Sequence, residues 1–235
     1  MIVMYGYYYD YSYWIYMLIT LSISMYANFK VQSTFNKYSK VKSTNGLTGA
    51  EAAKKVLLKD SVGDVSIGHV KGKLTDHYDP RNNSILLSDE VYSSTSISAI
   101  GVAAHEAGHA VQNAQGYLPI RIRQFLVPIS QFGSSLAMPL VFIGLLLPVQ
   151  YNFVVNIGIM LFSLAVLFQI VTLPVEFNAS SRAIKALSET GVLYGEEVDG
   201  AKEVLKAAAL TYLAATFTAL LSLLRLLLIS RRRER

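Results

Sequence analysis

Four long apolar runs constrain the fold of this chain more than any other feature. They cover residues 11–29, 125–149, 153–175 and 207–229. Each is long enough to cross a hydrocarbon core about 30 Å thick as a helix, which satisfies its own backbone hydrogen bonds. Charged residues make up only 16% of the chain, against about 25% in soluble domains. The sequence therefore predicts a mainly α-helical, multi-pass membrane protein with about four transmembrane helices.

The spans divide the chain into segments. The stretch between the first two spans is the only one long enough for a water-soluble domain, which we expect to be a small α+β domain at the membrane face. The predicted segments are an N-terminal anchor (1–29), the candidate catalytic domain (30–124), a transmembrane hairpin (125–175), a polar helical segment (176–206) and a C-terminal span with a basic tail (207–235).

Local signals predict the elements of the 30–124 domain. Thr48 and Glu51 have the spacing of a capping box, which predicts a helix directly after Thr48. Asp79-Pro80-Arg81-Asn82-Asn83 is typical of a turn. Serines at 93–96 offer N-caps for a later helix. The sequence thus predicts a small β-hairpin before a second helix, with strands at 65–70, 73–75 and 85–87 and the helix at 96–112.

The second predicted helix carries the sequence HEAGH, which has the pattern HExxH. His105 and His109 are four residues apart and therefore share one face of a helix. Two imidazoles at this spacing can both bind one Zn²⁺, and Glu106 beside them can act as a general base for water. Because the chain has no cysteine, any metal must be held by histidine and carboxylate groups.

A zinc site of this kind needs a third protein ligand, and Glu176 is the best candidate. Two predicted crossings separate Glu176 from the histidines, so all three groups can meet at one membrane face. Glu176 could instead be an interfacial charge that ends the third span. The competing carboxylates are weaker candidates because they lie too close to the start of the helix (Asp89, Glu90) or in a polar, solvated stretch (Glu189, Glu196, Glu197).

The combination of these motifs resembles the YugP-type neutral zinc metallopeptidases. HEAGH follows the segment TDHYDP…LSDEVY, and LPVEFNASSRA follows the transmembrane hairpin. The resemblance implies a zincin-like domain with Zn²⁺ bound by His105, His109 and Glu176, and Glu106 as the catalytic base. It also implies a gluzincin-like endopeptidase that cleaves membrane or membrane-proximal proteins, similar in logic to the HtpX-type membrane proteases.

The chain departs from the gluzincin pattern at one position. Where that pattern has an Asp four residues after the ligand Glu, this chain has Ser180. A hydroxyl is a weaker partner for an imidazole N–H, and Asn178 is the other candidate for this orienting role. The oxyanion of the reaction also needs a donor. The candidates for it are His77, Tyr78 and Arg182, with His69 and Tyr212 as further possibilities.

Charge and composition indicate the partners of the chain. The basic tail Arg231-Arg232-Arg233 follows an apolar run and is typical of a membrane-surface anchor rather than of a nucleic-acid site. We expect a protein or peptide substrate, a lipid bilayer and no nucleic acid, and the sequence indicates no oligomeric state. More Lys and Arg flank the spans on the domain side, which favours a cytoplasmic domain, although the basic tail favours the reverse.

Two other classes of function stay open at this point. A non-catalytic zinc-binding scaffold or assembly factor could retain the same fold and ligands. A small transporter would need ionisable residues deep in its spans, and the predicted spans contain only Arg225, near the end of the last one.

Overall fold

The computed structural model describes residues 11–234, and most of them are helical. The first ten residues of the predicted anchor lie outside this range. Six α-helices and three strands follow one another in the order α1 (Tyr11–Tyr38), α2 (Gly49–Lys59), β1 (Ser66–His69), β2 (His77–Asp79), β3 (Ser84–Leu87), α3 (Ile97–Ala114), α4 (Leu118–Leu146), α5 (Asn152–Glu189) and α6 (Glu196–Arg233).

Within residues 11–234, three helices are long and apolar enough to cross a membrane. They are α4, α5 and α6. The helix α1 forms as expected but is not among these three, so the predicted count of four spans is not confirmed. A mostly helical membrane protein with a small sheet is nevertheless what the chain folds into.

The helix that contains the third predicted span extends past the end of that span at residue 175. The helix α5 continues through Pro174 to Glu189 without a break. Ala179, Ala183 and Ala186 are fully buried on the continuation. Alanine favours helix, and burial of these side chains stabilises the extra turns, so the single proline does not end the helix. Glu176 therefore lies inside a helix that begins in the membrane region.

The three strands form one sheet in the order β1-β3-β2. Strand β1 pairs with β3 in parallel, and β2 pairs with β3 as the predicted antiparallel hairpin. The prediction of a strand at 73–75 was wrong, because β2 begins only at His77. Gly72 and Leu74 have positive φ angles of 116° and 53°, which no regular strand tolerates. Asp89 holds this bend by accepting a hydrogen bond from the backbone N–H of Gly72 at 3.0 Å.

Two predicted helix starts are confirmed. Thr48 and Glu51 form a reciprocal capping box at the start of α2. At the start of α3, the side chain of Ser96 accepts a hydrogen bond from the backbone N–H of Ala99. These caps satisfy N–H groups that a helix end leaves without partners. They set the first residue of α3 and therefore the direction in which its later side chains point.

The helix α3 lies at the centre of the larger hydrophobic core. Its small side chains are buried against α2, α5 and α6. The closest approach is at Gly108, where an added Cβ would lie 2.7 Å from the backbone oxygen of Ala179. Gly108 is thus explained by contact with the backbone of α5. This contact brings the HExxH segment beside the part of α5 that contains Glu176.

Candidate metal centre

The helix α3 places both motif histidines on one face. The rings of His105 and His109 have centroids 4.7 Å apart and are nearly perpendicular to each other. Their side chains are only 13% and 8% exposed. This is the arrangement that a spacing of four residues produces in a helix. Both imidazoles can therefore direct a ring nitrogen to a common point.

The helix α5 brings Glu176 to that point. Its Oε2 lies 3.1 Å from Nε2 of His105 and 3.5 Å from Nε2 of His109. Among residues 11–234, these three side chains form a group whose ligand atoms all lie within 4.8 Å of one another. The contact joins residues that are 71 positions apart in the sequence. The predicted ligands are thus brought together, and their binding of zinc stays a prediction.

Four of the five competing carboxylates have partners elsewhere. Asp89 pairs with His69 at 2.6 Å and Glu90 with Lys73 at 2.5 Å. On α5 and α6, Glu189 pairs with Lys59 at 2.8 Å, and Glu197 accepts from the backbone N–H of Thr44 at 2.8 Å.

The chemistry of the three side chains fits a zinc ion. The carboxylate of Glu176 is almost fully buried, at 2% exposure, and a buried charge is costly unless it is paired. Its Oε1 has no hydrogen-bond partner in the described part of the chain, although Nη1 of Arg123 lies 3.3 Å away. Two imidazole nitrogens and one carboxylate oxygen are a known ligand set for catalytic zinc.

The ring nitrogens that do not face Glu176, Nδ1 of both histidines, also have partners. The hydroxyl of Ser180 lies 3.1 Å from Nδ1 of His105, and its orienting role stays a prediction. Asn178 has no such contact with either histidine among the described residues, and it instead accepts a hydrogen bond from Nε2 of Gln112 at 2.9 Å. The Oε1 of Gln112 is the group that lies against Nδ1 of His109, at 3.1 Å.

Gln112 was not among the site residues predicted from the sequence. A spacing of three residues puts Gln112 on the same helix face as His109, so this signal was available. A glutamine in an apolar helix has no motif of its own, and only its burial between α3 and α5 distinguishes it.

Glu106 lies beside this group, and the edge strand β2 contacts it. Its Oε2 accepts a hydrogen bond from the backbone N–H of Tyr78 at 2.9 Å. Burial raises the pKa of Glu106 above the usual glutamate range. A carboxylate with a raised pKa is a better proton acceptor near neutral pH than an ordinary one.

A cleft with a volume of about 870 Å³ leads to these groups. Glu106, His109 and Glu176 line it, together with β2, its flanking residues (76–81) and one face of α4. Clefts of 300–1,000 Å³ are typical of ligand sites. An extended ligand in this cleft could therefore reach the carboxylate of Glu106 and the candidate metal ligands at the same time.

The predicted oxyanion donors fall into two groups. His77, Tyr78 and Tyr212 line the cleft. Tyr78 is fixed there, because its hydroxyl donates to Oδ1 of Asn83 at 2.8 Å. Arg182 instead donates to Oδ1 of Asn178 at 2.7 Å and to Oε1 of Gln115 at 2.6 Å. His69 is paired with Asp89, as described above.

The sequence matches known proteins over most of its length. A family model described as "putative neutral zinc metallopeptidase" matches residues 13–231. The chain is also 47% identical over 212 residues to a Bacillus subtilis (strain 168) protein described as "putative membrane protease YugP", a match that covers 90% of this chain and 93% of that protein. No solved structure matches the chain. The family match spans almost the whole sequence, so the chain belongs to the neutral zinc metallopeptidase family that this model describes.

Proposed function

We propose that this protein is a membrane-embedded zinc metalloendopeptidase. His105, His109 and Glu176 hold the zinc ion, and Glu106 is the catalytic base. The observation that carries the proposal is the buried carboxylate of Glu176, which lies 3.1 and 3.5 Å from the two histidine nitrogens. The family match supports the same conclusion and does not favour a non-catalytic scaffold.

The chain's own residues supply the proton transfers of peptide hydrolysis. When bound, zinc would supply Lewis-acid chemistry, polarising the attacking water and the scissile carbonyl. Glu106 takes the proton from that water and passes it to the leaving amine. The N–H of Tyr78 holds one carboxylate oxygen of Glu106, so the other oxygen is the one that faces the proton. His77 and Tyr212 are the candidate donors to the oxyanion, because they line the cleft. Tyr78 is not, because its N–H and its hydroxyl already donate to Glu106 and Asn83.

The course of the cleft supports a membrane or membrane-proximal protein as substrate. Its lining continues along α4 to Val127, Pro128 and Gln131. These residues belong to a helix that is apolar and long enough to span the bilayer. A polypeptide that leaves the membrane beside α4 would therefore enter the cleft directly, whereas a soluble protein would have to approach the lipid surface.

A Glu106→Gln variant tests the catalytic role. The amide keeps the size of the side chain but cannot take a proton, so we expect cleavage to fall by at least about 100-fold, within the range for general base catalysis. Zinc content should stay at the wild-type level. Cleavage is measured with the full chain in proteoliposomes, on a library of extended peptides carrying a fluorophore and quencher.

The matched control is Glu189→Gln, which changes an exposed glutamate that pairs with Lys59. This variant should cleave as fast as wild type. Wild-type cleavage by Glu106→Gln would remove Glu106 from the mechanism.

A further inference from the structure

Gln112 is a buried amide that contacts a candidate metal ligand directly. Its side chain is 0% exposed. The Oε1 lies 3.1 Å from Nδ1 of His109. The Nε2 donates to the backbone oxygen of Val175 at 2.8 Å and to Oδ1 of Asn178 at 2.9 Å. Every polar atom of the amide is thus engaged, as a buried polar group requires.

The two partners of Nε2 fix the orientation of this amide. A backbone oxygen such as that of Val175 can only accept hydrogen bonds. The Oδ1 of Asn178 is also an acceptor, because it takes a hydrogen bond from Nε of Arg182 at 2.7 Å, and a guanidinium can only donate. The Nε2 of Gln112 must therefore face Val175 and Asn178. The reverse orientation would put two oxygen atoms 2.8 Å apart.

This orientation selects one tautomer of His109. Because an oxygen of Gln112 faces Nδ1, the hydrogen of a neutral imidazole belongs on Nδ1. The Nε2 then keeps its lone pair, and it is the Nε2 that lies 3.5 Å from Oε2 of Glu176. His105 differs, because the hydroxyl of Ser180 at its Nδ1 can either donate or accept.

We propose that Gln112 is a positioning residue that selects the zinc-binding tautomer of His109, and that Arg182 sets the orientation of Gln112 through Asn178. The inference rests on the zinc site proposed above. It gives a role to a buried glutamine and to an arginine that the hydrolysis itself does not use. Loss of a partner at the outer nitrogen of a zinc-binding histidine typically costs about 10- to 100-fold in metal affinity.

Two substitutions at one position separate this role from packing. Gln112→Met keeps the size of the side chain but removes the acceptor, and we expect the zinc dissociation constant to rise by about 10- to 100-fold. Gln112→Glu keeps an acceptor for Nδ1–H but cannot donate to Val175, and we expect it to bind zinc several-fold more tightly than Gln112→Met. If the amide only tied α3 to α5, the buried charge of Gln112→Glu would make it the weaker binder.

The measurements are zinc affinity, by competition with a chromophoric chelator, and the visible absorption of the cobalt-substituted full chain in detergent. The cobalt bands should shift in Gln112→Met and stay near wild type in Gln112→Glu. Ser98→Ala is the matched control, because Ser98 is a fully buried polar residue of α3 that contacts Ser96. It should bind zinc as wild type does.

The outcomes distinguish this inference from the proposed function. Wild-type protein that binds no zinc would overturn both. Wild-type protein that binds zinc no more tightly than Gln112→Met would overturn the role of Gln112 alone. If neither Gln112 variant folds, Arg182→Met is the deciding variant. A loss of zinc affinity smaller than the about 10- to 100-fold expected for Gln112→Met supports the proposed role of Arg182 in orienting Gln112. Wild-type affinity contradicts it.

Discussion

At the scale of single residues, the contacts of the site differ in how well the sequence predicts them. The spacing of His105 and His109 fixes their common helix face, so the pair could be predicted from sequence alone. Glu176 could be predicted from the number of crossings that separate it from them. Arg123 could not, because its contact with Glu176 at 3.3 Å depends on how α4 lies against α5. No local sequence pattern determines how these two helices pack against each other.

Arg123 gives a prediction about stability. Its guanidinium is the cation that faces Oε1 of Glu176, so Arg123→Met should leave this oxygen of the buried carboxylate without a facing cation when zinc is removed. We expect the free energy of unfolding of the zinc-free protein to fall by about 2 kcal/mol. Breaking a fully buried ion pair typically costs about 3–5 kcal/mol, and the cost is lower here because Arg123 is 28% exposed. The loss should be smaller with zinc, since the ion also neutralises the carboxylate.

Thermal unfolding in detergent, with and without a chelator, measures this difference. Arg121→Met serves as the control, because Arg121 is a neighbouring exposed arginine of α4. Equal losses in the two variants, or a loss at Arg123 that zinc does not change, would contradict the account.

At the scale of elements, the sequence predicted helix starts better than strands. The caps at Thr48 and Ser96 are local side-chain chemistry and could be predicted. The start of β2 could not, because it depends on the bend at Gly72 and Leu74, which Asp89 holds from beyond the hairpin. The continuation of α5 past Pro174 depends on burial of its alanines against α3, which a sequence window does not contain.

The approach of α3 to α5 gives a prediction about Gly108. Helix propensity alone would make Gly108→Ala stabilising by about 1 kcal/mol. The added Cβ would meet the backbone oxygen of Ala179 at 2.7 Å, and a backbone atom cannot move aside cheaply. We therefore expect a destabilisation of about 1–3 kcal/mol, the usual cost of overpacking. Weaker zinc binding should accompany it, because Glu176 moves with α5.

The control for Gly108 is Gly63→Ala. An added Cβ at Gly63 meets nothing within 4 Å, so this variant should be neutral. Thermal unfolding and zinc affinity of both proteins check the prediction. A stabilised Gly108→Ala variant with unchanged zinc binding would show that the two helices are not in the contact described.

At the scale of the whole molecule, the side of the membrane that holds the sheet and α3 is a prediction from charge alone. The chain has no cysteine, so single cysteines can report it. Lys71→Cys lies on an exposed segment before β2, and Gln150→Cys lies in the exposed turn between α4 and α5. With a cytoplasmic domain, a membrane-impermeant maleimide should label Gln150→Cys but not Lys71→Cys in intact cells. The reverse labelling would place the domain outside.

The general architecture followed from the sequence because apolar length and HExxH spacing are properties of single segments. The approach of Glu176 to the histidines was predicted from the two crossings between them. Its distances of 3.1 and 3.5 Å from their Nε2 atoms were not, because they depend on how α5 packs against α3, between residues 71 positions apart. That contact brings a carboxylate from the long apolar helix α5 to two imidazoles of α3, and the proposed activity requires it.

Zinc analysis of purified protein tests this contact most directly. Wild type and Glu176→Ala are compared, with Glu189→Ala as a control on the same helix α5. After dialysis against a weak chelator, we expect stoichiometric zinc in wild type and in Glu189→Ala, and a loss of most zinc in Glu176→Ala. Full zinc occupancy in a folded Glu176→Ala protein would contradict the proposed metal centre.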